Sequence, residues 1–332
     1  MSESEQQIQV VGVGSPLVDL ILHVDDAFLA EHVPGAKGGM EYFEPEAIAE
    51  IIAASGQEAQ KSPGGAAANT TAGISALGVP SAFVGSAGDD AYGALFSDSL
   101  VARGCEPRLQ PSELATGHVL SLVTPDAQRT MRTCLGAAVA LDPAKVTADL
   151  FVGAKVVMLE GYTLFNHDLT RAVAAAAKAA GCQLALDLAS FEVVQANREL
   201  IDELLTDSVD IVFANEDEAR AWGNGEDELA ALRSLAERCA VAVVKVGAQG
   251  AWVRGNGVEH HIPAATVEAV VDTTGAGDTW AAGFLAAYVR GAPLAECGAI
   301  GALAAAAVVQ ISGALVPAAN WEPIKGRLDA WA

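Results

Sequence analysis

Short apolar runs rich in β-branched residues alternate along this chain with longer alanine-rich segments, and that alternation restricts the fold more than any other feature. Val10–Val13, Lys155–Leu159, Gln183–Leu188, Asp210–Phe213 and Val241–Val246 have strand length and little polar interruption, as expected of strands buried on both faces. Between them, Asp168–Ala180, Gln195–Leu205 and Glu226–Arg238 read as helices, with Gly181 as a stop signal. Ala276–Arg290 and Leu294–Ser312 add two more near the end. Continuous apolar strands separated by helices need cover on both faces of a mostly parallel sheet. The expectation is therefore an α/β fold of three layers, α/β/α. A chain of 332 residues, 52% of them hydrophobic, is compatible with one domain spanning 1–332.

Two regions break the rhythm. His118–Val123 and Arg129–Leu135 read as a hairpin around Pro125-Asp126-Ala127-Gln128. Leu20–Tyr42 reads as non-helical, because Pro34, Gly35, Gly38 and Gly39 punctuate it. Segments of roughly 20–44 and 115–136 are thus expected to form a small β layer beside the main sheet. Such a layer is either a lid over a ligand site or a pair of surface excursions.

Charge prunes the functional classes. Lys plus Arg is 19 against 42 Asp plus Glu, a formal net charge of −23, which disfavours a general nucleic-acid binder because such affinity rests on basic residues neutralising phosphates. A small anion remains admissible, since backbone N–H groups bind phosphate locally. The five cysteines, at 105, 134, 182, 239 and 297, form no C-x-x-C or zinc spacing, so free thiols in a reducing, cytoplasmic setting are expected. Met1–Gln9 lacks the basic start of a secretory signal. Ala299–Val309 suits a buried helix better than a membrane span.

Three stretches carry chemistry. Asp272-Thr273-Thr274-Gly275-Ala276-Gly277-Asp278 runs directly into a helical segment. Its glycines permit a tight turn and close ligand approach, and a helix start offers unpaired N–H groups and positive partial charge. Asp278 lies in the first turn, where the helix field favours its ionised form, and a carboxylate there can accept a hydroxyl proton during phosphoryl transfer. An ordinary helix start with an acidic residue remains the alternative. In Ser62-Pro63-Gly64-Gly65-Ala66-Ala67-Ala68-Asn69, the double glycine admits backbone contact with a ligand and Asn69 can both donate and accept; the alternative is a tight turn. In Asn215-Glu216-Asp217-Glu218, positions 215 and 218 share a helix face and suit magnesium, or simply make an acidic helix start. No G-x-x-x-x-G-K-[ST], dinucleotide fingerprint or G-x-S-x-G elbow is present, and His260-His261 reads as a strand edge.

Together these residues resemble the ribokinase/PfkB family of carbohydrate kinases. The Gly64-Gly65 stretch is similar to the family's first signature, Asp272–Asp278 to its second, and Asn215 with Glu218 to its magnesium motif. Lys245-Val246-Gly247-Ala248-Gln249-Gly250 resembles its strand and turn beneath the nucleotide. The resemblance runs from about Val10 to Pro317 and implies a ribokinase-like domain with a β lid, ATP as co-substrate and Mg2+. It implies Asp278 as base, and Gly275, Ala276 and Gly277 as an anion hole. Asp19, Gly64, Gly65 and Asn69 would hold the acceptor, and Asn215, Lys245, Gly247, Gly250 and Thr274 would lie along the nucleotide. A monovalent cation at the Thr273–Thr274 loop is left open.

Gly14-Ser-Pro-Leu-Val-Asp19, Arg129-Thr-Met-Arg-Thr and Glu160-Gly-Tyr162 look most like the adenosine kinase branch. There Tyr162 would stack on the base, Leu17 would pack beside the ribose, and Arg129 would approach the phosphoryl group. Ser15 departs from the Asn of the eukaryotic members. The expected partners are ATP and a nucleoside or free sugar, for a monomer or homodimer; a sugar kinase and a non-catalytic nucleoside sensor are the rival readings.

Overall fold

The computed structural model describes residues 7–126, 128–223, 225 and 227–331. The start of the chain through residue 6, Ala127 of the expected hairpin turn and Glu226, where one helix was expected to begin, lie outside the described residues.

Nine strands form the main sheet, in the order Val258–Ile262, Ala251–Gly255, Val241–Lys245, Val209–Asn215, Gln183–Asp187, Val156–Glu160, Val10–Val13, Ser81–Gly88, Cys105–Ser112. The last seven run parallel, and the first three pair antiparallel. Alternation along a strand feeds two cores. Val157 and Leu159 pack with the helices His167–Ala179, Arg198–Asp207 and Glu228–Ala236. Val156 and Met158 point to the other face, against Ala276–Val289, Leu294–Val308 and Ala318–Leu328. The three-layer expectation holds. His260 and His261 lie on the edge strand Val258–Ile262, as expected.

Two helix expectations need correction. The run Gln195–Leu205 is not one helix: Phe191–Ala196 stops and Arg198–Asp207 begins around Asn197. The Asn197 side chain is buried and donates to the Val193 carbonyl at 3.1 Å, so it competes with the backbone for a helical acceptor. The helix expected to reach Ser312 ends at Val308.

A second sheet has the order Met40–Tyr42, Arg129–Cys134, Gly117–Val123, Leu17–His23, Gln60–Gly64. The hairpin is present with antiparallel register, His118 opposite Cys134. The sheet is wider than expected, since Leu17–His23 and Gln60–Gly64 also belong to it. Nor is Leu20–Tyr42 free of helix: Asp26–His32 is helical, with the Asp25 carboxylate accepting from the Phe28 N–H at 2.8 Å. An aspartate cap of this kind is worth about 1 kcal/mol, enough to start a short helix ahead of the Pro and Gly residues.

Arg132, on the hairpin, is fully buried. Its guanidinium donates to the carbonyls of Pro34, Gly39 and Met131, which fastens the Pro34–Gly39 loop to this sheet. Among the described residues, no helix is long and apolar enough to cross a membrane.

Candidate functional site

Four adjacent parallel strands each end on one polar residue: Glu160, Asp187, Asn215 and Lys245. Asp187 is in register with Glu160, and Asn215 with Lys245. The apolar interior stops there, at the carboxyl edge where open α/β sheets bind ligands.

The glycine loop sits against this edge. Gly275 has φ 73°, and a Cβ on it would stand 2.6 Å from that of Ala314, so only glycine makes this entry into the helix Ala276–Val289 without strain. The Ala276 N–H donates to the Thr273 carbonyl at 3.1 Å and is committed within the turn, unlike the expectation for an anion hole. Gly277, by its position in the first turn, has no intrahelical acceptor. Upstream, Asp272 accepts from the Thr274 N–H at 2.9 Å, the Thr274 hydroxyl at 2.7 Å and the Gly313 N–H at 2.9 Å. Thr274 thereby shapes the loop.

The double glycine arrives from the second sheet. Gly64 closes the strand Gln60–Gly64 opposite Leu17, and Asp19 pairs with Ser62. A Cβ on Gly64 would stand 2.7 Å from Asp19 Oδ2, and one on Gly65, at φ 103°, only 2.4 Å from the Ser15 carbonyl oxygen. Gly64 and Gly65 are therefore set by close approach as well as by turn geometry. The helix Ala66–Ala76 then presents Asn69 and Thr70. Asn69 Nδ2 donates to Asp278 Oδ2 at 3.1 Å, and the Thr70 hydroxyl to the Asp278 carbonyl at 3.1 Å. The two glycine motifs, more than 200 residues apart in sequence, thus meet. Asn69 Oδ1 is buried without a partner; an orphan acceptor costs about 1–3 kcal/mol, and a ligand hydroxyl could satisfy it.

Charges around the cleft are crowded. Burial raises the Asp19 carboxyl above its ordinary value, and Arg129 pulls it back. Arg129 also lies 3.8 Å from Asp272, so it faces both the double-glycine side and the glycine loop. Burial pushes Asp278 up to about 6; the Asp187 carboxylate adds to this, while Asn69 and Lys245 restrain it. The helix field alone suggests a lowered value, and desolvation outweighs it. Glu160, fully buried and accepting from the Ala67 N–H at 3.0 Å, is pushed up to about 7 by burial.

Asn215 and Glu218 form a reciprocal cap. Asn215 Oδ1 accepts from the Asp217 and Glu218 N–H groups at 2.9 Å, and the Glu218 carboxylate accepts from the Asn215 N–H at 2.8 Å and Nδ2 at 2.6 Å. The helix-start role is therefore realised in full. Burial pushes the Glu218 carboxyl up to about 7, with Asp187 and Asp217 adding to it. Among the described residues no group of three or more His, Cys, Asp or Glu could hold a metal by itself. A buried carboxyl destabilised by neighbouring carboxylates nevertheless fits a divalent cation that takes its other ligands from phosphate and water.

Lys245 Nζ donates to Asp187 Oδ2 at 3.0 Å. Gly247 is exposed on the turn beyond it, whereas Gly250, at φ 97°, packs so that a Cβ would meet the Ile262 carbonyl oxygen at 1.9 Å. Tyr162, 49% exposed, lines a cavity of about 520 Å3 with Ser15, Val139, Phe165 and His167. Leu17 lies in the strand opposite Gly64 rather than among the residues lining that cavity. A larger cavity of about 1300 Å3, bounded by Glu44, Glu46, Asp89, Asp90 and Glu113, shares Val139 with it but contains neither glycine motif, nor Asp19, Asn69, Lys245 or Asp278.

Glu160 and Asp187 escaped selection as site residues in the sequence. The signal was available: each is the polar residue that terminates an apolar strand next to another such strand.

The Asp278 value gives a signed prediction. If Asp278 serves as a base it must be ionised to accept a proton, so turnover is then expected to be level above pH 7. It should fall about tenfold per pH unit once pH drops below about 6. A kcat–pH profile between pH 4.5 and 8 checks this.

Comparison with known proteins gives the family. The description "pfkB family carbohydrate kinase" matches residues 42–321. A ribokinase of Arabidopsis thaliana is 31% identical over 279 residues, covering 79% of this chain and 70% of that protein. The crystal structure of a probable sugar kinase from Rhizobium etli CFN 42 superposes with a TM-score of 0.85 at 32% identity, over 98% of this chain and 100% of that one. The adenosine kinase of Sinorhizobium meliloti gives 0.80 at 36% identity, over 92% and 95%.

Proposed function

Because the chain belongs to the pfkB family of carbohydrate kinases, we propose that it transfers the γ-phosphoryl group of ATP to the hydroxymethyl group of a nucleoside, adenosine, with Asp278 as the base. The observation that carries this reading is the 3.1 Å hydrogen bond between Asn69 and Asp278. It joins a cradle able to hold hydroxyls to a loop able to hold phosphate, so the two substrates can meet at one carboxylate.

In this reading Asp19, Asn69 and the Gly64–Gly65 backbone bind the sugar ring. The orphaned Asn69 Oδ1 accepts from one hydroxyl, and the Asp19 carboxylate from others. The second sheet acts as a lid that excludes water before transfer, because an open site would let water compete as acceptor. Arg129 reaches from that lid towards the phosphates. Asp278 takes the acceptor's proton as the new P–O bond forms and the bond to ADP breaks. Gly277, at the helix start, faces the negative charge of the phosphoryl group, and Gly275 gives the loop its turn. Glu218 and Asn215 would hold magnesium, which would supply charge neutralisation on the nucleotide. Lys245 and the Gly247 turn lie along the nucleotide. The domain, 1–332, works as one unit.

Support for a nucleoside comes from the 520 Å3 cavity at Tyr162 and Phe165, where exposed aromatic rings give a base a stacking surface, and from the adenosine kinase among the similar structures. A free sugar is the second reading, favoured by the similarity to the Arabidopsis ribokinase and the Rhizobium sugar kinase. An acceptor panel of adenosine, inosine, ribose and fructose with MgATP, scored by phosphorylated product, separates them. Adenosine is expected to give the highest kcat/KM; a free sugar in first place would overturn the nucleoside reading while leaving the kinase intact.

A further inference from the structure

We propose that Lys245 is a catalytic cation of the phosphoryl transfer and that Asp187 is the residue that positions it. The inference rests on the phosphate placement proposed above and deepens it. Three observations converge on this pair.

The first is where the ammonium lies. Lys245 and Asp187 end two strands that flank Val209–Asn215 in the sheet. Their 3.0 Å bond therefore arches over the end of the intervening strand, at the mouth of the cleft rather than within a ladder. A Cβ added at Gly277 would stand 3.1 Å from Lys245 Nζ, so the glycine loop and the ammonium share one small space.

The second is the charge environment. The Lys245 and Asp187 side chains are only 14% and 13% exposed. The carboxylates of Asp187, Glu218 and Asp278 all act on this ammonium. Three carboxylates beside one cation leave excess negative charge where a polyphosphate must enter. A fixed ammonium facing the phosphate offsets that repulsion, and in a site with little water it acts with less screening than in solution.

The third is the backbone that holds Asp187. Its Oδ1 accepts from the Ala189 N–H at 2.9 Å, while Oδ2 takes the lysine. Ala189 has φ 64°, a left-handed conformation that is strained for a residue with a Cβ. Strain kept next to a cleft is a mark of function. Here the Ala189 N–H fixes Oδ1 and so turns Oδ2 to the lysine, which is oriented before substrate arrives.

The step balances simply. The acceptor oxygen forms a bond to the γ-phosphorus, ADP leaves with the electron pair of the broken P–O bond, and the acceptor's proton passes to Asp278. Lys245 keeps its protons throughout and donates hydrogen bonds to phosphoryl oxygens.

The test compares K245M, K245R, D187N and D278N by steady-state kinetics, thermal melting, and calorimetric binding of ADP in EDTA. K245M is expected to lower kcat by about 100- to 1000-fold, the usual effect of removing one donor to a developing oxyanion. Its affinity for metal-free ADP should change far less. K245R should recover at least about tenfold of the lost kcat, because the cation is restored, and D187N should lower kcat with KM for the acceptor little changed. If K245M keeps wild-type kcat, or only raises KM for ATP, the proposal is overturned. Should K245M not fold, an undiminished kcat in D187N overturns it equally. D278N separates the two readings: inactive D278N beside active K245M sinks only the lysine proposal, whereas active D278N sinks the base assignment itself.

Discussion

Asp278→Asn is expected to lower kcat at least ~100-fold, the low end of general-base contributions, with acceptor binding retained. Asparagine keeps the shape and an oxygen that can still accept from Asn69 Nδ2, now at 3.1 Å from the carboxylate. What it lacks is the capacity to take a proton. The same substitution removes a carboxylate that burial and Asp187 destabilise, so the variant should melt at or above the wild-type temperature. Loss of activity with no loss of stability separates a functional carboxylate from a helix-start residue. Kinetics and a melting curve on one preparation measure both, and near-wild-type turnover would refute the assignment.

The second large effect falls on the other substrate. Asp19→Ala should lower kcat/KM for the acceptor at least ~100-fold while leaving KM for ATP within about threefold, because the change removes charge-assisted hydrogen bonds worth roughly 1.5–3 kcal/mol each. Asp19 is set opposite Ser62 and against Gly64, where a Cβ would come within 2.7 Å of its carboxylate. That contact leaves room for the backbone and little else, and orients the carboxylate into the cleft. Titration of initial rate against each substrate in turn checks the split. An equal rise in both KM values would point to a general collapse of the second sheet instead.

Five strands in the middle of the main sheet were legible because their interiors are apolar, whereas the edge strands Cys105–Ser112 and Val258–Ile262 carry charged and polar residues and give no such run. Val10–Val13 begins and ends where the sequence suggests, and Val156–Glu160, Gln183–Asp187 and Val241–Lys245 shift by a residue or so. The second sheet was harder. Gln60–Gly64 is a strand with mostly polar or turn-forming residues, Gln-Lys-Ser-Pro-Gly, and no local preference announces it; its pairing with Leu17–His23 does. Asp26–His32 was hidden by the Pro and Gly residues that follow it.

Of the candidate site, the glycine loops and Asp278 carry their own local signal. The Asn69–Asp278 bond and the Lys245–Asp187 pair do not, because they join residues 209 and 58 positions apart. The raised Asp278 value is of the same kind: position in a helix can be read from sequence, and desolvation by the assembled cleft cannot.

The most direct test of the account is where the phosphate goes. With whichever acceptor the panel selects, proton–phosphorus correlation spectra of the product should show phosphorus coupled to the hydroxymethyl protons alone, the outcome expected if Asp19 and Asn69 hold the ring hydroxyls and leave the hydroxymethyl group to Asp278. Phosphorus coupled to a ring C–H, or release of inorganic phosphate in place of a sugar or nucleoside ester, would contradict it.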